Sequence, residues 1–330
     1  MSTPSRTIRI GTRGSPLALA QTELVCAALA SAHPSLKTEI TVIKTSGDWK
    51  PEHEETRLSE VEGGKGLFAK EIEAALLAGE IDAAIHSMKD MDSHLPEGLV
   101  IKHMLPREDP RDALLLSKKS NLANLSQNEN DAFSALDEGA VVGAASVRRT
   151  AFLKHVRPDV NIIPLRGNVQ TRIDKLRGPN AVPGMDATFL AMAGLNRLGL
   201  QDEADIVLEP EVMLPAAGQG AVGIQIREGD QIAREYLDAI AHEPTFLCVL
   251  AERAALKTLD GSCHTPIGAF AEFDGADMRL RLKVASLDGK DIFENEAVQP
   301  VSGRADAEQL GRTLAETLKD KIPQDILGHG

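Results

Sequence analysis

The chain has 330 residues, too many for one ordinary hydrophobic core, so two or three domains are expected. Hydrophobic residues make up 42% and charged residues 26%, as in soluble globular proteins, and no apolar run approaches the roughly 20 residues of a membrane-spanning helix. The formal net charge of −13 argues against binding to nucleic acid or anionic membranes, unless basic residues are locally concentrated.

The opening residues run into a strand-like pattern without an apolar signal region. The three cysteines, an odd number, fit a reducing compartment better than a disulfide framework. Together these features predict a cytoplasmic protein.

The first third of the chain alternates between strand and helix patterns. The predicted order is strand 7–13, helix 15–32, strand 37–48, helix 66–80 and strand 81–87. Ser15 is a plausible N-cap because Pro16 follows it, and Gly79 is suited to closing the second helix. The alternation predicts an α/β fold with a parallel, doubly wound sheet.

The pattern then recurs without sequence identity. Strand 140–146 precedes helix 147–156, strand 160–168 precedes helix 169–176, and 186–199 holds a further strand and the start of a helix. The recurrence predicts two similar α/β domains that face each other. Two crossings of the chain would make a hinge between them.

The domain boundaries follow from these patterns. The stretches 105–113 and 214–223 read as the connections between the two lobes. We predict domain 1 at 1–105 plus 220–240, domain 2 at 110–214 and domain 3 at 243–330. Domain 1 includes a long polar loop, 46–66, which is either a lid or an ordinary solvated surface loop.

The third domain has a different pattern. A long helix at 244–261 precedes strands at 266–273, 278–287 and 291–298, and an amphipathic helix follows at 305–322. This order predicts a small α+β domain with a three-stranded sheet.

Cations follow the predicted strands of both lobes. Ligands of doubly wound sheets bind at the carboxyl ends of the strands, where Arg side chains can grip carboxylates or phosphates through paired hydrogen bonds. The chain has no P-loop and no dinucleotide glycine pattern, so either kind of anion remains open. The polar and basic candidates are Arg13, Ser15, Lys89, Ser146, Arg148, Arg149, Arg166, Arg172 and Arg197.

Asp90 is the one carboxylate among these cations. It is either an ion-pair partner or a group that stabilises a cation formed in the substrate. His86, near the end of the same strand, reads as structural rather than catalytic.

The cysteines differ in their positions. Cys26 and Cys248 lie within predicted helices and read as small buried apolar residues. Cys263 lies in a glycine-flanked loop after a helix, where the helix dipole would not favour a thiolate, and Cys263 and His264 alone lack zinc-site spacing. Cys263 is therefore either an inert thiol or an attachment point for a covalent group.

Seven motifs in order between residues 8 and 270 resemble the porphobilinogen deaminase (hydroxymethylbilane synthase) family. They are IRIGTRGSPLALAQ, GGKGLFAKEIEAALLAGEIDAAIHSMKDM, LPREDPRDAL, RGNVQTRIDKL, MAGLNRLGL, LPAAGQGAVGI and DGSCHTPIGAF. The last 60 residues or so match only in general pattern.

The resemblance implies two periplasmic-binding-protein-like domains with a hinge and a small C-terminal domain. It implies a transferase of haem biosynthesis that carries a dipyrromethane cofactor on Cys263 through a thioether. Four porphobilinogen units would be added head to tail, each with loss of ammonia, before hydrolysis releases the linear tetrapyrrole hydroxymethylbilane. A soluble monomer is expected, together with a possible transient contact with the next enzyme of the pathway.

The resemblance also assigns residues to roles. Asp90 would hold the pyrrole nitrogen of the cationic azafulvene that forms when ammonia leaves, and it would assist proton transfer to the amine. Gln219 falls in a Gly-Gln-Gly hinge motif. The polar and basic candidates named above fall on cofactor- and substrate-binding positions, while Asp48 and Lys65 bracket the mobile loop and Phe68 begins the next helix.

The chain departs from the family pattern at two places. Ala144 and Ala145 stand where hydroxyl residues are usual, and the acidic run 60–62 stands where a basic residue is common. Contacts beside the arginine pair and the dynamics of the loop are therefore expected to differ.

Two other readings compete with this one. A two-lobed solute-binding protein without catalysis would explain the repeat and the arginines, but it leaves the Cys263 loop unexplained. A cysteine-dependent transferase acting on a phosphorylated substrate is the second alternative. A nucleic-acid binder is disfavoured by the net charge and by an aromatic content of 3%.

Overall fold

The computed structural model describes residues 7–45, 69–92, 94–117, 129–259 and 265–327, with the backbone alone at 129–131. Within these ranges the chain forms two compact units. One comprises the described residues up to 108 together with 220–247, and the other comprises 109–219 together with 248–327. The division into three domains stays a prediction.

The helices and strands alternate along most of the chain. In chain order they are β1 (Thr7–Thr12), α1 (Pro16–Ala32), β2 (Lys37–Val42), α2 (Lys70–Leu77), β3 (Ala83–Ser87), β4 (Leu99–Met104), β5 (Asp112–Leu116), β6 (Val141–Gly143), α3 (Val147–Val156), β7 (Asn161–Ile163), α4 (Val169–Arg177), β8 (Ala187–Ala191), α5 (Met192–Arg197), β9 (Ile206–Leu208), β10 (Val222–Arg227), α6 (Gln231–Asp238), α7 (Glu243–Thr258), β11 (Ile267–Asp274), β12 (Asp277–Ala285), β13 (Ile292–Pro300), α8 (Arg304–Lys319) and α9 (Gln324–Leu327). Short 3-10 helices lie at Met88–Asp90, Glu129–Ala135 and Gln201–Glu203.

The first unit contains a five-stranded sheet in the order β2-β1-β3-β10-β4. Strand β1 is parallel to β2 and β3, whereas β10 is antiparallel to both of its neighbours. Ile8, Ile10, Val25 and Leu29 pack with Ile224 in its core. Helix α1 begins as predicted, because the Ser15 side chain accepts a hydrogen bond from the Ala18 backbone amide at 3.3 Å.

The second unit repeats this topology. Its five-stranded sheet has the order β7-β6-β8-β5-β9, in which β5 is antiparallel to β8 and β9. Strands β5 and β10 therefore occupy equivalent positions, and each is the first strand after a crossing of the chain. The same unit contains the three-stranded antiparallel sheet β11-β12-β13, with α8 packed against β12 and β13.

The predicted fold class is confirmed: α/β, with two sheets of like topology and a C-terminal three-stranded sheet. The three strands predicted to be parallel in the first sheet are parallel, and each five-stranded sheet also contains one antiparallel strand that follows a crossing of the chain. Segments 105–113 and 214–223, predicted as the connections between the lobes, contain the two crossings of the chain, and they also contain the beginnings of β5 at Asp112 and of β10 at Val222. The fully buried strand β5 shows no alternation of polar and apolar residues by which it could be recognised.

Candidate active site

The first group of predicted residues lies at one edge of the first unit. Because β1 and β3 are parallel, their carboxyl ends meet at the same edge of the sheet. Arg13 and Ser15 follow β1, and Lys89 and Asp90 form part of the 3-10 helix after β3. Arg13, Ser15 and Asp90 line one pocket.

Three further side chains of this pocket were not predicted to be functional. Gln21 on α1 donates a hydrogen bond from Nε2 to Ser87 Oγ at 2.8 Å, which joins the helix to the end of β3. His86, beside them, is buried and forms a 2.9 Å hydrogen bond between its Nε2 and Gln225 Oε1. Sequence signals for these roles are weak, because β3 is buried along most of its length and shows no alternation that would distinguish His86.

The electrostatics of the pocket keep His86 neutral. Burial lowers the pKa of His86 to about 4; Arg13 also lowers it, whereas the hydrogen bond to Gln225 and the carboxylate of Asp90 raise it. The imidazole is therefore uncharged at neutral pH. Arg13 and Asp90 line the same pocket as this uncharged ring.

The second group lies at the corresponding edge of the second unit. Strands β6, β7 and β8 are ordered as parallel neighbours, so the residues that follow them share one edge. Ser146 begins α3 as its N-cap and accepts a hydrogen bond from the Arg149 backbone amide at 3.4 Å. The arginines of this edge are Arg148 and Arg149 after β6, Arg166 and Arg172 after β7, and Arg197 at the end of α5 after β8.

Arg148 and Arg149 turn into the protein and bind a carboxylate that was not predicted from the sequence. Asp112, the first residue of β5, is fully buried and lies opposite Ala191 at the end of β8. Its Oδ2 accepts from Arg148 Nη2 at 2.7 Å, and its Oδ1 accepts from Arg149 Nη2 at 2.7 Å. Arg148 Nη1 donates to the backbone carbonyl of Leu214. Arg149 Nη1 donates to the backbone carbonyl of Phe189.

Two arginines around one aspartate leave the cluster with one net positive charge. Burial would raise the pKa of Asp112, but the two guanidinium groups outweigh burial and hold that pKa well below its usual range. Arg148 Nε is buried and has no hydrogen-bond partner among the described residues. The two arginines therefore contribute positive potential at this edge rather than freely exposed guanidinium groups.

The other arginines of the edge are half-buried. Arg172 donates from Nε to the carbonyl of Gly167 at 2.8 Å, and the carbonyl of Arg166 accepts from Lys175 Nζ at 3.1 Å. Gly167 has φ 121°, a conformation that L residues rarely adopt. These contacts fix the turn between β7 and α4 that presents Arg166 and Arg172.

Gln219 is held on the buried side of the same cluster. Its Nε2 donates to Asp112 Oδ1 at 2.9 Å and to the carbonyl of Pro110 at 2.6 Å. The neighbouring Gly218 has φ 71°, and its amide donates to the buried carboxylate of Glu252 at 2.6 Å. The Gly-Gln-Gly motif is thus fixed by side chains of β5 and α7.

Four predicted site residues, Asp48, Lys65, Phe68 and Cys263, lie outside the described residues.

The other two cysteines differ in burial. Cys248 is buried as expected, whereas Cys26 is half-buried. Burial nevertheless raises the pKa of the Cys26 thiol. In the described ranges no cluster of three or more His, Cys, Asp or Glu side chains could hold a metal ion.

The side chains at the second edge fit a polycarboxylate. Cationic and hydroxyl side chains follow three neighbouring strands, and the buried Asp112 cluster adds one uncompensated positive charge. Such a set of donors suits a dipyrromethane, whose two rings each carry an acetate and a propionate.

No helix in the described part of the chain is both long and apolar enough to cross a membrane.

Comparison with known proteins agrees with this chemistry. The family model "Porphobilinogen deaminase, dipyromethane cofactor binding domain" matches residues 8–235, and "Porphobilinogen deaminase, C-terminal domain" matches residues 246–320. A porphobilinogen deaminase of Paracoccus denitrificans is 47% identical over 328 residues, which cover 99% of this chain and 98% of the relative. One of Alkaliphilus metalliredigens is 42% identical over 322 residues, covering 98% and 95%.

Solved structures give more distant likenesses. R. palustris Rpa4515 with adipate has a TM-score of 0.43 and 11% identity, with 99% of each chain covered. The fold assignment rests on the sheet topology instead.

The chain is a transferase of tetrapyrrole synthesis with a dipyrromethane-binding domain. It belongs to the porphobilinogen deaminase family. The resemblance, the reaction class and the cofactor inferred from the sequence are thereby confirmed, and porphobilinogen is the substrate that the family implies.

Proposed function

We propose that Asp90 is the catalytic carboxylate of this porphobilinogen deaminase and that Cys263 is the attachment point of its cofactor. The main support is the placement of Asp90 in one pocket with Arg13 and Ser15, at the carboxyl edge of the first sheet. Cys263 lies outside the described residues, and its role rests on the DGSCHTPIGAF motif.

Asp90 acts on the charge that develops in the substrate. When ammonia leaves porphobilinogen, the electron pair of the C–N bond departs with nitrogen and the pyrrole ring becomes cationic. A carboxylate beside the pyrrole N–H stabilises this cation more strongly than it stabilises the neutral ring, so it lowers the barrier. Asp90 can also hold a proton for the departing amine.

Arg13 and Ser15 would orient the incoming ring. The guanidinium of Arg13 can bind an acetate or propionate through two hydrogen bonds, which fixes the ring relative to Asp90. Lys89 is half-buried in the same 3-10 helix as Asp90 and adds positive charge beside it. Lys65 and Phe68 are proposed substrate contacts, and Asp48 is proposed to flank the mobile loop.

The second edge would hold the cofactor and the growing chain. When bound, dipyrromethane supplies the free pyrrole carbon from which the chain is extended. Ser146, Arg166, Arg172 and Arg197 would bind its carboxylates directly. Arg148 and Arg149 would attract them through the net positive charge of the Asp112 cluster.

Gln219 has a positional role in this scheme. It precedes the point where the chain crosses between the units, and its amide is bound to Asp112 and Pro110. We further propose a monomeric cytoplasmic enzyme and a transient contact with the next enzyme of the pathway. The net charge of −13 supports a soluble monomer.

The test is turnover of porphobilinogen by the purified holoenzyme, followed as ammonia release and formation of the linear tetrapyrrole. Asp90→Asn should reduce kcat roughly 100-fold or more, because the amide cannot neutralise the cationic ring. Asp92→Asn is the matched control, since Asp92 is exposed and lies two residues away. An Asp90→Asn enzyme within a few fold of the wild type would overturn the role of Asp90.

A further inference from the structure

A chain of three polar side chains reaches into the pocket of Asp90. His86 on β3 lies opposite Gly223 on β10, and Gln225, two residues further along β10, lies on the same face as a diagonal neighbour. His86 Nε2 and Gln225 Oε1 are 2.9 Å apart, and Gln225 Nε2 donates to Glu73 Oε1 on α2 at 2.9 Å. Strand, strand and helix are thus joined through one amide.

The direction of these hydrogen bonds fixes the tautomer of His86. The carboxylate of Glu73 only accepts, so Gln225 must turn its NH₂ towards Glu73 and its carbonyl oxygen towards His86. A carbonyl also only accepts, so His86 Nε2 must carry the hydrogen. Because burial lowers the pKa of His86 to about 4, the ring is neutral and Nδ1 retains its lone pair.

The lone pair belongs to a residue that lines the pocket. His86 shares this pocket with Arg13, Ser15 and Asp90. Nε2 is the ring nitrogen engaged by Gln225, and among the described residues Nδ1 has no hydrogen-bond partner. Arg13 can only donate, so Nδ1 supplies an acceptor without adding a second negative charge beside Asp90.

We propose that His86 Nδ1 is a substrate-binding group that accepts a hydrogen bond from the aminomethyl ammonium of porphobilinogen. This proposal rests on the proposed function and assigns a further residue to the same site. Porphobilinogen carries two kinds of N–H donor, the pyrrole nitrogen and the ammonium, and Asp90 is the one carboxylate among the described residues that line the pocket. His86 takes the second, which leaves Asp90 for the ring nitrogen.

A neutral acceptor suits a leaving group. A second carboxylate would bind the ammonium by charge and oppose its departure, whereas a neutral nitrogen orients the ammonium with little cost when it leaves. His86 gains and loses no proton in this scheme. The amine leaves as ammonia with the C–N electron pair, and the Gln225–Glu73 pair keeps Nε2–H in place throughout.

Two amide variants, each of which can reproduce one ring nitrogen, separate this role from a structural one. In His86→Gln the terminal amide can still donate to Gln225 at the position of Nε2, but the acceptor at Nδ1 is lost. In His86→Asn an amide oxygen can stand near the position of Nδ1, but the contact with Gln225 is lost. His155→Gln in the other unit is the matched control, because His155 Nδ1 is bound to the carbonyl of Gly289.

The expected loss follows from the free energy that a hydrogen bond to a charged group contributes to binding. Holoenzyme with His86→Gln should lose roughly 10- to 100-fold in kcat/KM for porphobilinogen, with unchanged cofactor loading by intact mass, and His86→Asn should retain more activity than His86→Gln. His155→Gln should behave as the wild type. A His86→Gln enzyme within twofold of the wild type, or the reverse order of the two variants, would overturn the proposal.

A second measurement does not depend on the folding of the variants. In holoenzyme labelled with ¹⁵N-histidine, the Nδ1 resonance of His86 should be that of an unprotonated acceptor and should shift when porphobilinogen is added. A protonated Nδ1, or an Nδ1 chemical shift that does not change when porphobilinogen is added, would contradict the proposal. If wild-type holoenzyme releases no ammonia, the proposed function itself fails, which is a different outcome.

Discussion

The side-chain amide of Gln219 donates a hydrogen bond to the buried carboxylate of Asp112 at a distance of 2.9 Å. The two residues are 107 positions apart, and each lies within a few residues of a point where the chain crosses between the units. The same carboxylate binds Arg148 and Arg149. One aspartate therefore connects the Gly-Gln-Gly motif to the arginine pair of the proposed cofactor site.

Replacing Asp112 should destabilise the second unit more than any surface substitution. In Asp112→Asn the two buried guanidinium groups lose their counter-charge, while the amide retains most of the volume of the side chain. Removing one partner of a buried ion pair costs about 3–5 kcal/mol, and urea denaturation should show a loss of this order. Cofactor loading should fall as well, because Arg148 and Arg149 would be displaced.

Asp159→Asn is the control for this experiment. Asp159 is paired with Arg157 on the surface of the same unit, where solvent screens the interaction. Its replacement should leave the urea midpoint nearly unchanged. Equal destabilisation by the two variants would mean that the buried cluster has no special role.

Gly223 should be essential for the position of Asp90. A Cβ atom at this position would collide with Met88 Sδ and would lie 3.2 Å from Ile101 Cγ2. Met88 begins the 3-10 helix that ends at Asp90, so Gly223→Ala should displace that turn and cost roughly 1–3 kcal/mol of stability. The loss of kcat should exceed that expected from the unfolded fraction.

Gly229→Ala offers the comparison on the same side of the chain crossing. Apart from its chain neighbours, no atom of the described residues lies within 4 Å of the position that a Cβ at Gly229 would take, so this variant should retain activity and stability. Wild-type kcat in Gly223→Ala, measured on folded holoenzyme, would show that Asp90 does not depend on the packing of Met88.

Glu252 should stabilise the Gly-Gln-Gly motif through its two carboxylate oxygens. Oε2 accepts from the Gly218 amide at 2.6 Å and Oε1 from the Ala271 amide at 2.8 Å. In Glu252→Gln the NH₂ group would face one of these donors, which should cost about 1–3 kcal/mol in denaturation experiments. Glu235 is exposed, so Glu235→Gln should change stability by less than about 0.5 kcal/mol. An equal loss of stability in Glu252→Gln and Glu235→Gln would contradict the stabilising role of Glu252.

His86 should make folding stability depend on pH. The pKa of His86 is about 4 in the folded chain, against a reference value of 6.5 for the unfolded chain. Between these two pH values the unfolded chain binds a proton at His86 that the folded chain does not bind. Stability therefore falls as the pH decreases towards 4. The contribution of this one group should be about 2 kcal/mol between roughly pH 7 and pH 5.

The comparison that isolates His86 is the wild type against His86→Gln, which removes the titration. The difference in free energy of unfolding between the two proteins should change with pH between about 6.5 and about 4 and level off outside that range. A difference that stays constant from neutral to mildly acidic pH would show that His86 is not held neutral by the fold.

Much of the fold could be predicted from local signals. Ser15 and Pro16 begin α1 at the predicted residue, Gly79 follows α2 with φ 73°, and α3 coincides with the predicted helix 147–156. Caps and helical periodicity are encoded within a few neighbouring residues, which is why these boundaries could be read directly.

The crossing strands could not be recognised in the same way. Strand β10 contains Gly223 and Gln225, and β5 is buried throughout, so neither alternates as a half-exposed strand does. Their places in the sheets depend on pairing with strands that are distant in the sequence. Such pairing leaves no local pattern.

The candidate site shows the same division. The positions of Arg13, Asp90, Arg148 and Arg149 at strand ends follow from the pattern of elements. The burial of the arginine pair does not, because it depends on Asp112, which the antiparallel strand β5 brings to that edge. The partner of His86 is likewise hidden, since Gln225 is 139 residues away.

Intact-protein mass spectrometry of the native chain tests the central claim most directly, with Cys263→Ser as the test variant and Cys26→Ser as its control. The native protein and Cys26→Ser should each be heavier than their sequences by one two-ring pyrrole adduct, and porphobilinogen should add further one-ring steps. Cys263→Ser should have no adduct. An adduct that survives in Cys263→Ser, or a native chain that stays at its sequence mass after incubation with porphobilinogen, would contradict the account.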